Sequence, residues 1–303
     1  MIAVIGSAKE IIKIAMKAPA EDASASSDPA EKEMKETDTM IVESGGCGAN
    51  IAANLASFGY ETVFITAIGE DSLGAALKDR MYKAGVRTDM MKTFPGMTAV
   101  NVDFLNVLGD LEFTRRNSEI VDNITPEFLE SSAEFLERAE AIVIDGTIPA
   151  ESIRYITDMY GGRNDMRIFY DPASAHGGYK AREILGSFSC IMPGRMEAEA
   201  MTRKSVLSQE QLMEAGAFFQ DKGVERVIIT IKGGGLYYKE GKDEGVIRPE
   251  RVLSFGSTAG AGDVVSAAVV SGTLEGKGIE ETARYAMEKA AEYLADTKDE
   301  KFI

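Results

Sequence analysis

The chain has 303 residues and a mass of 32.7 kDa, enough for one large or two ordinary α/β domains and for a core that needs no disulfide or metal staple. With 45% apolar and 27% charged residues it is neither disordered nor collagen-like, and a formal charge of −16 without any basic block excludes nucleic-acid binding by counterion release. Two cysteines, Cys47 and Cys190, and one histidine, His176, exclude a disulfide framework, a CxxC metal site and a two-histidine zinc hydrolase.

Ile2 to Ile5 is a short apolar strand. No run approaches the ~18 apolar residues of a membrane span, and Met1 to Gly6 lacks the basic start of a signal peptide, so a cytoplasmic protein without membrane contact is expected. Ala18 to Thr39, crowded with Ala, Ser, Glu, Asp and Lys, is either a solvated loop or frayed helix, or a flap beside a cleft. Asn50 to Phe58 places Ile51, Leu55 and Phe58 on one helical face and stops at Gly59. Val63 to Ala67 is a buried strand, and Asp71 to Ala84 a helix with Leu73, Leu77 and Met81 spaced by four.

The alternation continues through helix Pro126 to Leu136, strand Ala141 to Ile144, helix Pro149 to Tyr160, and strands Arg167 to Tyr170 and Cys190 to Met192. Ser208 and Gln211 form a capping box before the next helix, and Arg226 to Ile231 is a further strand. Repeated strand–helix pairs define an α/β protein with a mostly parallel sheet covered on both faces. No Pro- or Gly-rich linker divides the chain, so 1–303 is expected to be a single domain. Thr98 to Asn106 and Leu111 to Asn117 alternate as a hairpin. With Ile11 to Met16 and Thr39 to Glu43 they form either a small separate sheet, which covers a cleft or pairs with another subunit, or an edge extension of the main one.

On so acidic a chain an anionic ligand must be held locally, by backbone N–H groups, a helix N-terminus or a metal ion. Gly256-Ser257-Thr258-Ala259-Gly260-Ala261-Gly262-Asp263 fits that need, because glycines allow close backbone approach and the following apolar helix aims its first N–H groups into the turn. Asp263 then either accepts a proton from an attacking hydroxyl or simply stabilises the helix start. Gly45-Gly46-Cys47-Gly48-Ala49-Asn50 is a second glycine turn, in which Asn50 is either a helix cap or a polar contact to a ligand. Two such turns suit a cleft with one arm for an acceptor and one for a phosphate donor. Cys47 is read as a small filler in a tight turn, and His176, beside Gly177-Gly178, as a loop residue.

Gly45-Gly46-x-x-x-Asn50, Ile68-Gly69-Glu70-Asp71-x-x-Gly74 and Thr258-Ala259-Gly260-Ala261-Gly262-Asp263 together resemble the ribokinase-like (PfkB) carbohydrate and nucleoside kinases over nearly the whole chain. Within that family Pro95 to Ala99, Asp122 to Glu127, and Tyr170 to Ser174 before Lys180 are similar to pseudouridine kinases. The resemblance implies a three-layer α/β/α fold with a small β-sheet lid. It implies transfer of the ATP γ-phosphoryl group to a primary hydroxyl of a sugar or nucleoside, the 5′-hydroxyl of pseudouridine first among them. It makes Asp263 the base and the backbone at Gly260, Ala261 and Gly262 the anion hole. Gly45, Gly46 and Asn50 would hold sugar hydroxyls, Thr230, Lys232, Gly235 and Thr258 would line the nucleotide site, and Glu197 would position Mg²⁺ through water. The family's acceptor-binding Asp after the first strand is absent, leaving Glu10 as its substitute. Gly194 stands for the Asn of Asn-x-x-Glu, Lys232 for the first Gly of Thr-x-Gly-x-x-Gly, and Ser257 for the usual acidic or amide residue near the monovalent-cation site, so potassium activation is not implied. The alternatives are another sugar kinase of the family, acting on ribose or a related furanose, and a ligand-binding regulatory module with weakened chemistry. A homodimer through the lid is a further option.

Overall fold

The computed structural model describes residues 1–15, 39–106, 111–231, 233, 235–249 and 260–296. The acidic stretch up to residue 38, the hairpin turn 107–110, Lys232 and the glycine-rich residues Gly256 to Ala259, with Ser257 and Thr258, lie outside the described residues.

In chain order the first half contains β1 (Ile2–Ile5), β2 (Lys9–Ala15), β3 (Thr39–Gly45), α1 (Cys47–Ser57), β4 (Thr62–Gly69), α2 (Ser72–Lys83), β5 (Met91–Phe94), β6 (Val100–Leu105), β7 (Leu111–Asn117), α3 (Pro126–Glu130) and α4 (Ala133–Glu137). The second half contains β8 (Ala141–Asp145), α5 (Ala150–Tyr160), β9 (Arg167–Asp171), α6 (Ala175–Ala181), β10 (Cys190–Ile191), α7 (Arg195–Thr202), α8 (Gln209–Asp221), β11 (Arg226–Ile231), β12 (Gly235–Glu240), β13 (Asp243–Ile247), α9 (Ala261–Leu274) and α10 (Ile279–Asp296).

Nine strands form one sheet in the order β13-β12-β11-β10-β9-β8-β1-β4-β5, parallel except for β12 and β13 at one edge. Alternation within β1 shows why it needs cover on both sides: Ile2 and Val4 face a core with Ile51, Leu55, Val269 and Ala283, while Ala3 and Ile5 face one with Phe128, Ile153 and Phe219. The layers are therefore helix, sheet, helix.

A separate sheet runs β3-β2-β6-β7, so the hairpin does not extend the main sheet. Its register divides its side chains cleanly. Ile12, Val42 and Val102 lie in one row and Ile14, Met40, Phe104 and Phe113 in the next, on one face. Lys9, Ile11 and Lys13 lie on the other.

The helix expected over 126–136 is broken in two, because the hydroxyls of Ser131 and Ser132 both donate to the Phe128 carbonyl and close a turn there. His176 stands exposed in α6 and not in a loop, since Ser174 caps that helix by accepting from the Gly177 N–H. The Ser208–Gln211 capping box is present.

Candidate active site

Parallel α/β sheets present ligand sites at the carboxyl ends of their strands, and here that edge is built around two aspartates. Asp145 ends β8 and Asp171 ends β9, directly opposite each other in the ladder. Asp145 is fully buried, and its Oδ2 accepts from the Ser7 N–H (2.9 Å), the Ser7 hydroxyl (3.0 Å) and the Gly48 N–H (2.9 Å), while Oδ1 accepts from the Thr147 N–H at 2.9 Å. It ties the loop after β1 to the glycine turn after β3. Beside it, Lys180 donates to the carbonyls of Gly146, Thr147 and Ile148.

Gly46 has φ 109°, and a Cβ there would lie 2.4 Å from the Ser7 carbonyl oxygen, so only glycine turns the chain this tightly. The turn starts α1 at Cys47, three residues before the helix start expected at Asn50. Asn50 is thus no cap. Its side chain crosses to α9, where Nδ2 donates to Asp263 Oδ2 at 2.6 Å. Gly45 faces the same space: a Cβ added to it would meet the Ile11 Cδ1 at 2.9 Å and the Asn50 Nδ2 at 4.0 Å.

Asp263 occupies the first turn of α9, whose N-cap is Gly260 at φ 81°. The positive φ of this turn is at Gly260, where a Cβ would also approach the Tyr293 hydroxyl to 2.5 Å; around Gly262 no atom of the described residues lies within 4 Å of a Cβ. Part of the Asp263 side chain meets solvent, yet protein surrounds it closely enough that burial raises its pKa to about 6. The hydrogen bond from Asn50 and the neighbouring Cys47 thiol oppose that rise, as does the charge of Lys9, while the charge of Asp145 adds to it.

Asp171 is raised further, to about 7, by burial first and by the charge of Asp263 second. Its Oδ2 accepts from the Ser266 hydroxyl at 2.6 Å, one turn beyond Asp263, and its Oδ1 from the Ala173 N–H at 2.9 Å. Sγ of Cys47 and one carboxylate oxygen each of Asp171 and Asp263 lie within 4.8 Å of one another. Burial, with the charges of Asp171, Asp145 and Asp263, pushes the Cys47 thiol well above its ordinary range. Cys47 is therefore more than filler: its thiol lies against the carboxylates of Asp171 and Asp263. Neither its contact nor that of Asp171 is marked by the glycine motifs, although an Asp closing the apolar run Arg167-Ile168-Phe169-Tyr170 is a visible signal.

The other arm lies farther along the sheet. Gly194, the N-cap of α7, forms a parallel bridge to Thr230 in β11, and the Thr230 N–H donates to the Pro193 carbonyl at 3.0 Å. A Cβ on Gly194 would stand 2.4 Å from Glu197 Oε2, so glycine makes room for that carboxylate beside Thr230. Gly235 opens β12 opposite Ile231. Thr230, Glu197 and Gly235 thus lie near one strand end, Lys232 and Thr258 lie outside the described residues, and Gly45, Gly46, Asn50 and Asp263 gather at the other arm.

Glu10 does not join them. One residue out of register with Ile11, it sits on the opposite face of β2, where Oε1 accepts from the Ser44 hydroxyl at 2.6 Å and buried Oε2 has no partner among the described residues. The expectation that Glu10 replaces an acceptor-binding Asp is corrected by this register, and Lys9 and Ile11 occupy the cleft face instead.

Phosphoryl transfer to an alcohol requires a base, an acceptor turn and an anion-binding helix start to converge, and comparison with known proteins agrees on that class of phosphotransferase. The chain belongs to the pfkB family of carbohydrate kinases, whose model matches residues 2–298. It is 30% identical over 243 residues to the pseudouridine kinase of Escherichia coli (strain K12), covering 80% of this chain and 77% of that protein. It is 26% identical over 251 residues to a ribokinase of Haemophilus influenzae, covering 82% and 79%. Among solved structures, Arabidopsis thaliana ribokinase complexed with ribose and ATP superposes with a TM-score of 0.78 at 22% identity, over 97% of this chain and 92% of that one, a likeness of fold. No described helix is long and apolar enough to cross a membrane.

Proposed function

We propose that this sugar or nucleoside kinase uses ATP and Mg²⁺ and that its acceptor is pseudouridine, phosphorylated on the 5′-hydroxyl. The observation that carries the kinase chemistry is the Asn50–Asp263 hydrogen bond, which brings the acceptor turn to the base at a helix N-terminus. The choice of acceptor is supported by the 30% identity to a pseudouridine kinase, with ribose the second reading on the strength of the ribokinase likeness. Retention of Asp263 with its partners favours an enzyme over a binding module.

In this reading ionised Asp263 takes the hydroxyl proton, Asn50 holds its carboxylate toward the acceptor, and the first N–H groups of α9, at Ala261 and Gly262, face the phosphoryl oxygens. Gly45 and Gly46 let sugar hydroxyls approach the backbone. Thr230 and Gly235 border the nucleotide, with Lys232 and Thr258 assigned to it from their motifs. The half-buried carboxylate of Glu197, which accepts no hydrogen bond from a described residue, is a hard oxygen ligand suited to Mg²⁺ through water. Magnesium, when bound, neutralises charge on the β- and γ-phosphates.

The test is kcat/KM for pseudouridine, uridine, ribose and fructose under one set of conditions, with the product identified by mass. A site built to bond a base edge rejects an acceptor without one by up to about 10⁴-fold. Ribose equal to or better than pseudouridine overturns the acceptor assignment and leaves the family.

The outer face of the lid sheet, with Met40 63%, Val42 55% and Phe113 43% exposed and turned away from Ile11, supports a homodimer through the lid. Phe113→Asp should then lower the mass seen by light scattering from dimer to monomer, and an unchanged mass removes the proposal.

A further inference from the structure

Transfer of a phosphoryl group spreads negative charge over three equatorial oxygens, and at this site it does so next to Asp145, Asp171 and Asp263, on a chain of formal charge −16. Among the described residues, local cations are few. Lys180, the lysine beside Asp145, is committed to three backbone carbonyls, and Lys13 on the lid is paired with Glu43. Lys9 is different.

Lys9 opens β2 on the cleft face, opposite Gly45 in the ladder and two residues from Ile11, which packs over the acceptor turn. It is half-buried and has no hydrogen-bond or ion-pair partner among the described residues, while its charge reaches Asp263. The loop that carries it is fixed from below: the Ser7 carbonyl accepts from the Ala49 N–H at 3.2 Å, and the Ser7 N–H and hydroxyl both bond Asp145. A flexible side chain on so well-fixed a backbone can meet an anion arriving between the two arms.

We infer that Lys9 is a further catalytic residue: its ammonium contacts the oxygens of the phosphoryl group in flight, so that the lid brings a cation with no other partner among the described residues to the acidic floor. The inference rests on the kinase reading and goes beyond it. A compact ammonium on a long stem can follow the group from donor to acceptor, and the stabilisation it gives is largest when the charge is most spread. The same geometry has one competing use, which is binding an anionic acceptor. That use moves KM instead of kcat.

The experiment compares wild type, Lys9→Met and Lys9→Arg in the full chain, with ATP, Mg²⁺ and either pseudouridine or ribose. Lys9→Met should lower kcat about 10²-fold, the scale of one lost oxyanion contact. KM for ATP and acceptor should stay within about threefold, the pattern of an interaction made only in the transition state. Lys9→Arg should restore part of the loss. Calorimetry supplies a readout apart from turnover: ADP alone should bind wild type and Lys9→Met equally, whereas ADP with aluminium fluoride, Mg²⁺ and acceptor should bind Lys9→Met far more weakly. Unchanged kcat with raised acceptor KM, or unchanged fluoroaluminate binding, overturns the inference while the kinase reading stands. A wild type that binds no ADP–fluoroaluminate overturns the kinase reading and this inference with it.

Discussion

Asn50 and Asp263, 213 residues apart in sequence, are joined by a 2.6 Å hydrogen bond from Nδ2 to Oδ2. Donation to the ionised carboxylate holds its pKa down against the burial that raises it to about 6. Asn50→Ala should therefore move the acid limb of the kcat/KM profile to higher pH, with a larger loss at pH 6.5 than at pH 8. A limb that stays in place would show that the contact positions the acceptor without tuning the base.

Asp263→Asn keeps shape and removes basicity. The variant should fold and bind ATP as wild type does while turnover falls about 10²-fold or more, the usual range for a general base. In wild type, turnover should rise with pH through about 6, where Asp263 loses its proton. Near-normal turnover by a well-folded Asp263→Asn would exclude the residue from the chemistry.

Asp171 gives a prediction about stability. An unfolded aspartate releases its proton near pH ~4, whereas Asp171 keeps its proton to about 7, so the folded protein binds the extra proton between those values. Its contribution to stability is whole below the unfolded pKa and declines as pH rises through the folded one. The decline amounts to about 2–4 kcal/mol at pH 8. Asp171→Asn should flatten the fall of Tm between pH 4 and 8, less whatever is lost at Ser266. An equally steep fall in the variant would assign the pH dependence to other groups.

The two glycines at the start of α9 should separate fold from catalysis. Gly260→Ala forces a side chain into φ 81° and toward the Tyr293 hydroxyl, and should cost about 1–2 kcal/mol in denaturant unfolding. At Gly262 an added Cβ meets no atom of the described residues within 4 Å, so with Gly262→Val Tm should hold while kcat falls more than acceptor affinity. Equal loss of Tm in both would mean that Gly262 is structural.

Much of the scaffold is written locally. Ile2 to Ile5, ended by Gly6, and Ala141 to Ile144, bounded by Glu140 and Asp145, are short apolar runs, and each becomes a central strand buried on both faces. The Ser208 capping box likewise needs no tertiary partner to be recognised. What local reading misplaces is decided at a distance. Asn50 has the composition of a cap, but the φ of Gly46, set by the approach of Ser7, starts the helix earlier and frees Asn50 for Asp263. Glu10 and Ile11 exchange roles on one residue of register, which the β2–β3 pairing fixes. Cys47 and Asp171 show their importance only when α1, β9 and α9 converge.

That convergence also sets a timetable for a chain emerging from the ribosome. Asp263 is synthesised 213 residues after Asn50, so at 5–20 residues per second the two are separated by about 10–40 s. Throughout that interval the apolar side of α1, with Ile51 and Leu55, waits for the helices that complete its core. A nascent chain that has finished the sheet still lacks Asp263 and exposes a greasy flank, a client for a chaperone until α9 and α10 arrive.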